Sequence, residues 1–396
     1  MILVINAGSS SMKFQLYKVN GENNYEVICK GLAERIYLDG VFKIKFNGQE
    51  FETKEDLKDH EATAKVLINK LEEHGIIKDF SDITGIGHRI VHGGEKFTQS
   101  TVITDEVFAE IKKMVILAPL HNPPAISAIE AFQKITSVPN VAVFDTSFHA
   151  TMPVENYLYS GPYKWYTDHQ VRRYGFHGIS YRYITKRLGT ILNKPIDKVK
   201  AIVCHLGNGA SICAVKNGQS YNTSMGITPL EGLIMGTRSG DIDPSIPNYI
   251  ASQTGEDIVA ITNTLNKKSG LLGISGVSSD LRDVVGSAES NPRSKLALKM
   301  SAKRIAKYIV AYLNELGGNA DAIVFTAGIG ENSAIMRSLV ANEVKLINFD
   351  LVKEHNEQGY DSENLISGAN ATVPVYAIRT NEEIIICEDT YHLTQK

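Results

Sequence analysis

Two stretches about half a chain apart share one build. Asn6-Ala-Gly-Ser-Ser-Ser-Met-Lys13 runs on to Gly21, and His205-Leu-Gly-Asn-Gly-Ala-Ser211 runs on to Gly218. Each reads as strand, turn of small residues, strand, turn. A repeat of a whole strand–turn–strand unit points to two related α/β halves, because each copy needs its own sheet and core. The length of 396 residues agrees, since it exceeds what one hydrophobic core usually organises. Two domains with a cleft between them, into which two such hairpins could direct backbone N–H groups, are the first expectation.

The rest of the chain fills out that class. Ile2 to Ala7, Lys13 to Val19, Val41 to Phe46, Val141 to Phe144, Ala201 to Cys204 and Ala322 to Thr326 are short runs, rich in β-branched residues, that end in glycine or polar turns. Between them lie amphipathic stretches: Ala62 to His74 closed by Gly75, Pro123 to Ile135 opened by prolines, and Ser294 to Leu316 closed by Gly317 and Gly318. The class is α/β with mixed sheets flanked by helices.

Composition narrows what such a fold could bind. A net charge of −3 offers no broad basic field for a nucleic acid, so anions must be held by local groups. No stretch reaches the roughly 18 apolar residues that span a bilayer, and MILVINAGSS lacks the basic start of a signal peptide. Cys29, Cys204, Cys213 and Cys387 show no C-x-x-C spacing and read as free thiols. A cytoplasmic location is expected, with neither nucleic acid nor membrane as partner.

Several segments could carry chemistry. The Asn6–Lys13 turn gathers small residues, hydroxyls and one lysine, as a phosphate-cradling hairpin needs, but lacks the G-K-[ST] ending and following helix of a Walker A loop. Its alternative is an ordinary polar turn. His205–Ser211 and Thr326-Ala-Gly-Ile-Gly-Glu-Asn-Ser333 also place glycines just after apolar runs, where a ligand can approach the main chain, although tight turns use glycine in the same way. In Gly87-His-Arg-Ile-Val-His-Gly-Gly94, Arg89 could hold a carboxylate or phosphate with two parallel hydrogen bonds, or bridge loop carbonyls. Asp145 follows the apolar run Val141–Phe144 and is either a functional acid at a strand end or an N-cap. His177 and Arg238 sit in glycine-rich settings as cations that could face phosphoryl oxygens, or be merely solvated. Glu382 and Glu383 precede an apolar run, where they suit a hard cation, a helix N-terminus, or both.

Taken in order, Asn6–Lys13, Gly175-Phe-His-Gly178, His205–Gly209, Gly328-Ile-Gly-Glu-Asn332 and Thr380-Asn-Glu-Glu383 closely resemble the acetate kinase (acetokinase) family over nearly the whole chain. The resemblance implies two duplicated domains of the actin-like ATPase (ribonuclease H-like) fold. Their expected extents are residues 1–148 and 149–383, with 384–396 packing back on the first. It further implies a homodimer and a place in acetyl-CoA biosynthesis. The implied activity is reversible, Mg²⁺-dependent transfer of the ATP γ-phosphoryl group to acetate, giving acetyl phosphate and ADP, with Mn²⁺ able to replace Mg²⁺.

Carried over by position, the resemblance makes Asn6 and Glu382 the metal site and sets Lys13 facing the ATP phosphates. His205, Leu206, Gly207, Asn208 and Gly209, then Asp280, Leu281 and Arg282, then Gly328, Ile329, Gly330, Glu331 and Asn332, form the nucleotide site. Arg89 holds the substrate carboxylate, and Val91, Leu120, Phe176 and Pro229 surround its methyl group. Asp145, His177, Arg238 and His121 complete the catalytic set. The rival readings are a propionate or butyrate kinase, which a substrate series separates, and a nucleotide-switched binding protein of the same fold. The latter would have no use for Arg89, Asp145, His177 and Arg238 together.

Overall fold

The computed structural model describes residues 1–395. Its contacts divide the chain into two compact units, one of residues 1–148 with the chain from Asn381 onward, the other His149–Thr380. The division falls at residue 380 rather than 383. The reason is the helix Glu382–Thr394, which packs along its length on strands of the first unit and takes Glu382 and Glu383 with it.

The first unit is built on eight strands: β1 (Ile2–Gly8), β2 (Ser11–Val19), β3 (Tyr25–Glu34), β4 (Val41–Phe46), β5 (Gln49–Lys54), β6 (Gly85–Ile90), β7 (Thr101–Val102) and β8 (Asn140–Phe144). They lie in the order β5-β4-β3-β2-β1-β6-β8-β7, with β1, β6 and β8 parallel and the β1–β2–β3 meander antiparallel. The helix His60–Glu73 begins where Asp59 accepts a hydrogen bond from Ala62 N at 2.7 Å, and it buries Thr63, Ala64, Leu67 and Leu71 at helical spacing. With the helix Asn122–Ile135 it closes one core over Leu3, Ile5, Phe14, Phe42 and Ile86.

The second unit has six strands: β9 (Ala201–Leu206), β10 (Ala210–Lys216), β11 (Gln219–Thr223), β12 (Ala322–Thr326), β13 (Glu363–Leu365) and β14 (Val375–Ile378). Their order is β11-β10-β9-β12-β14-β13, with β9, β12 and β14 parallel. Five strands of each sheet therefore share one order and one set of directions, β3-β2-β1-β6-β8 matching β11-β10-β9-β12-β14. This is the strand order of the actin-like ATPase fold. The repeated sequences fall on equivalent hairpins, β1–β2 and β9–β10. The 24-residue helix Pro292–Glu315 covers the second sheet; Pro292 opens it, Asn291 caps it at 2.9 Å, and Gly317 and Gly318 follow at φ +82° and +81°.

Two details of β6 govern the first site. Gly85 and Gly87 share one face of the strand, and a Cβ on Gly87 would stand 2.3 Å from Thr390 Oγ1 and 2.5 Å from Ile386 Cγ2. The bare strand face is what lets the helix Glu382–Thr394 lie close. On the other face His88 is buried, its Nε2 2.7 Å from Asn140 Oδ1, while Nδ1 has no partner among the described residues. Asn140 Nδ2 donates to Val138 O, so its oxygen accepts and Nε2 carries the hydrogen.

Burial pushes the His88 pKa down to about 4, against the opposing pull of the Asn140 bond. As pH falls below the ordinary histidine pKa of about 6.5, the unfolded chain takes up this proton first. Stability tied to His88 is therefore lost between about pH 6.5 and pH 4, by about 2 kcal/mol from pH 7 to pH 5. Urea unfolding at the two pH values should show that loss in the parent chain and a smaller one in His88→Gln; equal losses would exclude His88 as the source.

Candidate active site

Strand register builds the first unit's site. β6 and β8 run parallel with Arg89 beside Val143, and Asp145 N extends the ladder to Ile90 O at 2.9 Å. Arg89 and Asp145, 56 positions apart, thereby meet at the carboxyl ends of adjacent parallel strands. Arg89 Nε donates to Asp145 Oδ1 at 3.1 Å and Nη2 donates to Oδ2 at 2.7 Å, while Nη1 lies 3.6 Å from Glu382 Oε2. The Asp145 side chain is 1% exposed. Burial opposes the charge on Arg89, but Asp145 and Glu382 outweigh it and raise the guanidinium pKa. Glu382 is itself pushed up to about 7, chiefly by burial, with Arg89 opposing and Asp145 and Glu383 reinforcing.

The helix Glu382–Thr394 starts with Asn381 Oδ1 accepting from Ile384 N at 3.1 Å, so the two glutamates stand at a helix N-terminus. Glu383 accepts from Lys13 Nζ at 2.5 Å, and Lys13 pairs across the β1–β2 hairpin with Asn6. Asn6 and Glu382 offer hard oxygen donors, the chemistry Mg²⁺ prefers. Among the described residues no cluster of three or more His, Cys, Asp or Glu could hold a metal. Mg²⁺ usually takes only one or two protein carboxylates and fills its other positions with water and phosphate, so the small donor set fits.

The segment carrying Val91 is locked by groups that no motif singled out. Asn122 Oδ1 accepts from His92 N at 3.1 Å and its Nδ2 donates to His92 O at 3.0 Å, while Gly93 N donates to Thr146 Oγ1 at 3.0 Å. His121 stands just before the helix Asn122–Ile135, its N–H donating to Ala118 O at 3.1 Å, and Leu120 is 50% exposed beside it.

In the second unit the β9–β10 turn, the Asp280 segment and the end of β12 enclose a cavity of about 900 Å³. Gly207, Asn208, Asp280, Leu281, Arg282, Gly328, Ile329 and Asn332 line it. Of five further lining residues, Ser333 ends the Thr326–Ser333 run, while Ser279, Val285, Ala334 and Ile335 left no signal in the sequence. The remaining nucleotide-site candidates of this unit support the walls. Leu206 is buried at the end of β9, the Gly330 carbonyl accepts from Arg337 Nη1 at 2.8 Å, and Glu331 Oε1 accepts from Thr380 N at 2.9 Å. Gly328 to Asn332 is not a plain turn but part of a short helix, Ala327–Asn332, directly after β12; Ala327 enters it at φ +63°.

Beside this cavity His177 and Arg238 converge. A Cβ placed on Gly209 would stand 3.5 Å from Arg238 Nη1 and 3.6 Å from His177 Nε2, so both donors face the space that glycine leaves open. Arg238 Nη1 donates to Pro229 O at 3.1 Å, tying two of the singled-out residues together. Unlike Arg89, it has no carboxylate partner among the described residues, and burial lowers its pKa. His177, at φ +59°, enters the helix Gly178–Ile191, stacks on His205 at 4.0 Å, and places Nδ1 2.8 Å from Ser211 Oγ. Phe176, buried beside it, accepts from His149 Nε2 at 2.9 Å. The neighbouring Arg173 donates to Glu231 and to the carbonyls of Thr223, Ser224 and Met225, a structural role.

A partly desolvated arginine with no counter-ion among the described residues, next to a glycine-lined cavity, calls for an anion. Comparison with known families supplies the context, because the model of the acetokinase family matches residues 1–388. The chain belongs to the acetokinase family. An acetate kinase of Mycoplasma mycoides subsp. mycoides is 52% identical over 99% of this chain and 100% of its own length. The crystal structure of Porphyromonas gingivalis acetate kinase superposes with a TM-score of 0.92 at 40% identity, covering 99% of both chains. A propionate kinase from Francisella tularensis subsp. tularensis gives the same three figures. The family's two-sheet fold is thus present in full.

Proposed function

We propose that this chain is an acetate kinase, transferring the ATP γ-phosphoryl group reversibly to acetate to give acetyl phosphate and ADP. Family membership supplies the reaction class, and the structural observation that carries the reading is Arg238, half-buried with no carboxylate beside it among the described residues and facing the same point as His177 Nε2 above Gly209. Mg²⁺ as the metal, a homodimer and a cytoplasmic location belong to the same proposal.

A guanidinium has five N–H donors, and Asp145 uses two of Arg89's. The Nη1 hydrogens and the second Nη2 hydrogen remain, enough for a second carboxylate on the opposite edge. Acetate bound there is ionised at neutral pH and attacks as it stands, with no general base. Asp145 accordingly acts by holding the guanidinium plane. As an oxygen attacks in line, charge on the three equatorial phosphoryl oxygens is met by Arg238 and His177. Asn6 and Glu382 would hold the metal, which when bound neutralises phosphate charge. Lys13, half exposed, adds a cation near the β1–β2 turn.

Gly209→Ala tests that convergence. The added methyl meets both donors at ordinary contact distance, so the fold should tolerate it with an unchanged thermal midpoint. Turnover should fall about tenfold or more, since the methyl occupies the space in front of them. Unchanged turnover would separate Gly209 from the reacting group.

A propionate kinase is the near alternative, favoured by the Francisella structure. Trapping acyl phosphate with hydroxylamine, using ATP and Mg²⁺ against formate, acetate, propionate and butyrate, decides between them. Acetyl hydroxamate should dominate, with propionate slower by about tenfold, within the range one methylene provides. A faster rate with propionate would move the assignment. ATP hydrolysis with no acid trapped would favour a nucleotide-switched binding protein.

A further inference from the structure

His177 can present its Nε2 hydrogen only if the ring is in the right tautomer, and the groups behind the ring decide that. Ser211, on β10, is fully buried and has its Oγ 2.8 Å from His177 Nδ1. The same Oγ is within hydrogen-bonding reach of the Tyr181 hydroxyl, also fully buried. Tyr181 follows His177 by four positions, one helical turn, and its N–H donates to His177 O at 3.0 Å. Helix and strand therefore clamp one hydroxyl between a phenol and an imidazole.

Acidity sets the direction of this chain of hydrogen bonds. A phenol is a stronger donor and weaker acceptor than an aliphatic hydroxyl, so Tyr181 donates to Ser211 and the single serine hydrogen turns to the imidazole. Nδ1 then accepts and the ring hydrogen resides on Nε2, as second-shell partners commonly arrange for functional histidines. Nε2 is the atom that, with Arg238 Nη1, faces the open point above Gly209. Stacking on His205, whose Nδ1 is 2.9 Å from Ser180 Oγ, keeps the ring from turning over.

We propose that Ser211, oriented by Tyr181, is the positioning residue that sets the tautomer of His177 and directs its Nε2 hydrogen at the transferred phosphoryl group. The phosphoryl part of this statement rests on the acetate kinase reading; the tautomer part does not.

The test has two arms. In full-length protein labelled with ¹⁵N-histidine, nitrogen chemical shifts read the tautomer of His177 well above the ordinary histidine pKa, with His177→Gln identifying its signals. The parent chain should show Nε2–H, and Ser211→Ala should shift the population toward Nδ1–H. Kinetically, Ser211→Ala should lower kcat about tenfold with KM for acetate and ATP little changed, and Tyr181→Phe should act in the same direction with a smaller loss. Ser211→Ala made in His177→Gln should cost nothing more. An Nδ1–H tautomer in the parent, or one unchanged by Ser211→Ala, overturns the proposal. So does a kinetic loss that persists in the His177→Gln background. Failure of the acetate kinase reading would appear separately, as no acyl phosphate from any acid while the ¹⁵N arm still reports the tautomer.

Discussion

Arg89→Leu is expected to abolish acyl phosphate formation, lowering kcat/KM for acetate by about a thousandfold or more, and to destabilise the fold by about 3 kcal/mol. Both effects come from one side chain. Its guanidinium is the cation between Asp145, 1% exposed, and Glu382, already pushed up to about 7. Without it two carboxylates lie together in poorly hydrated surroundings, and one must protonate or the site must open. The substrate carboxylate loses its partner in the same step. Arg89→Lys sharpens the test, since lysine restores a charge but cannot supply two parallel bonds to Asp145 and further donors to acetate. It should recover much of the stability and little of the activity. Urea unfolding and the hydroxamate assay measure the two effects, and ATP affinity should hold, because the lining of the 900 Å³ cavity belongs wholly to the second unit. If Arg89→Leu keeps kcat/KM for acetate within about tenfold, Arg89 is not the carboxylate ligand.

Arg238→Met should give the opposite sign in stability. Arg238 is desolvated with no carboxylate beside it among the described residues, so replacing it with an apolar chain of similar length removes a burial cost and leaves no orphaned anion. The thermal midpoint should hold or rise. Turnover should drop by about 10²- to 10³-fold, the usual effect of removing one donor from developing oxyanion charge, with KM for ATP little altered. Arg89 and Arg238 would then separate by the sign of their stability change. A fall in stability as large as that of Arg89→Leu would mean that Arg238 is structural.

Much of this was legible in the sequence wherever information is local. Val41–Phe46 and Ala322–Thr326 are strands over the expected residues, and the two hairpins whose likeness suggested duplication occupy equivalent places in the two sheets. Short-range patterns of β-branched residues, caps and glycines encode such elements directly. The run from Gly328 to Asn332 was misleading for a local reason: glycines that favour a turn also permit a short helix, and packing decides which of the two forms after Thr326, the N-cap at the end of β12. Pairings across the chain were not legible. Nothing in the spacing of Arg89 and Asp145, of Lys13 and Glu383, or of His177 and Ser211 says that they touch, since strand register and helix docking bring them together. Asn122 left no mark for the same reason, and Ser211 stood at the end of the His205–Ser211 run with no role of its own; a serine in a strand and an asparagine before prolines are ordinary until their neighbours are known.

The first unit is discontinuous, closed by a helix that the ribosome delivers only after all of His149–Thr380 has been made. The second unit is contiguous and can finish folding during synthesis, whereas β6 must wait with Gly85 and Gly87 uncovered. Because Glu382 arrives with the same helix, the unit that carries Arg89, the carboxylate ligand of the proposed reaction, is completed last, and a nascent chain can form the cavity of the second unit before the Arg89–Glu382 pair exists.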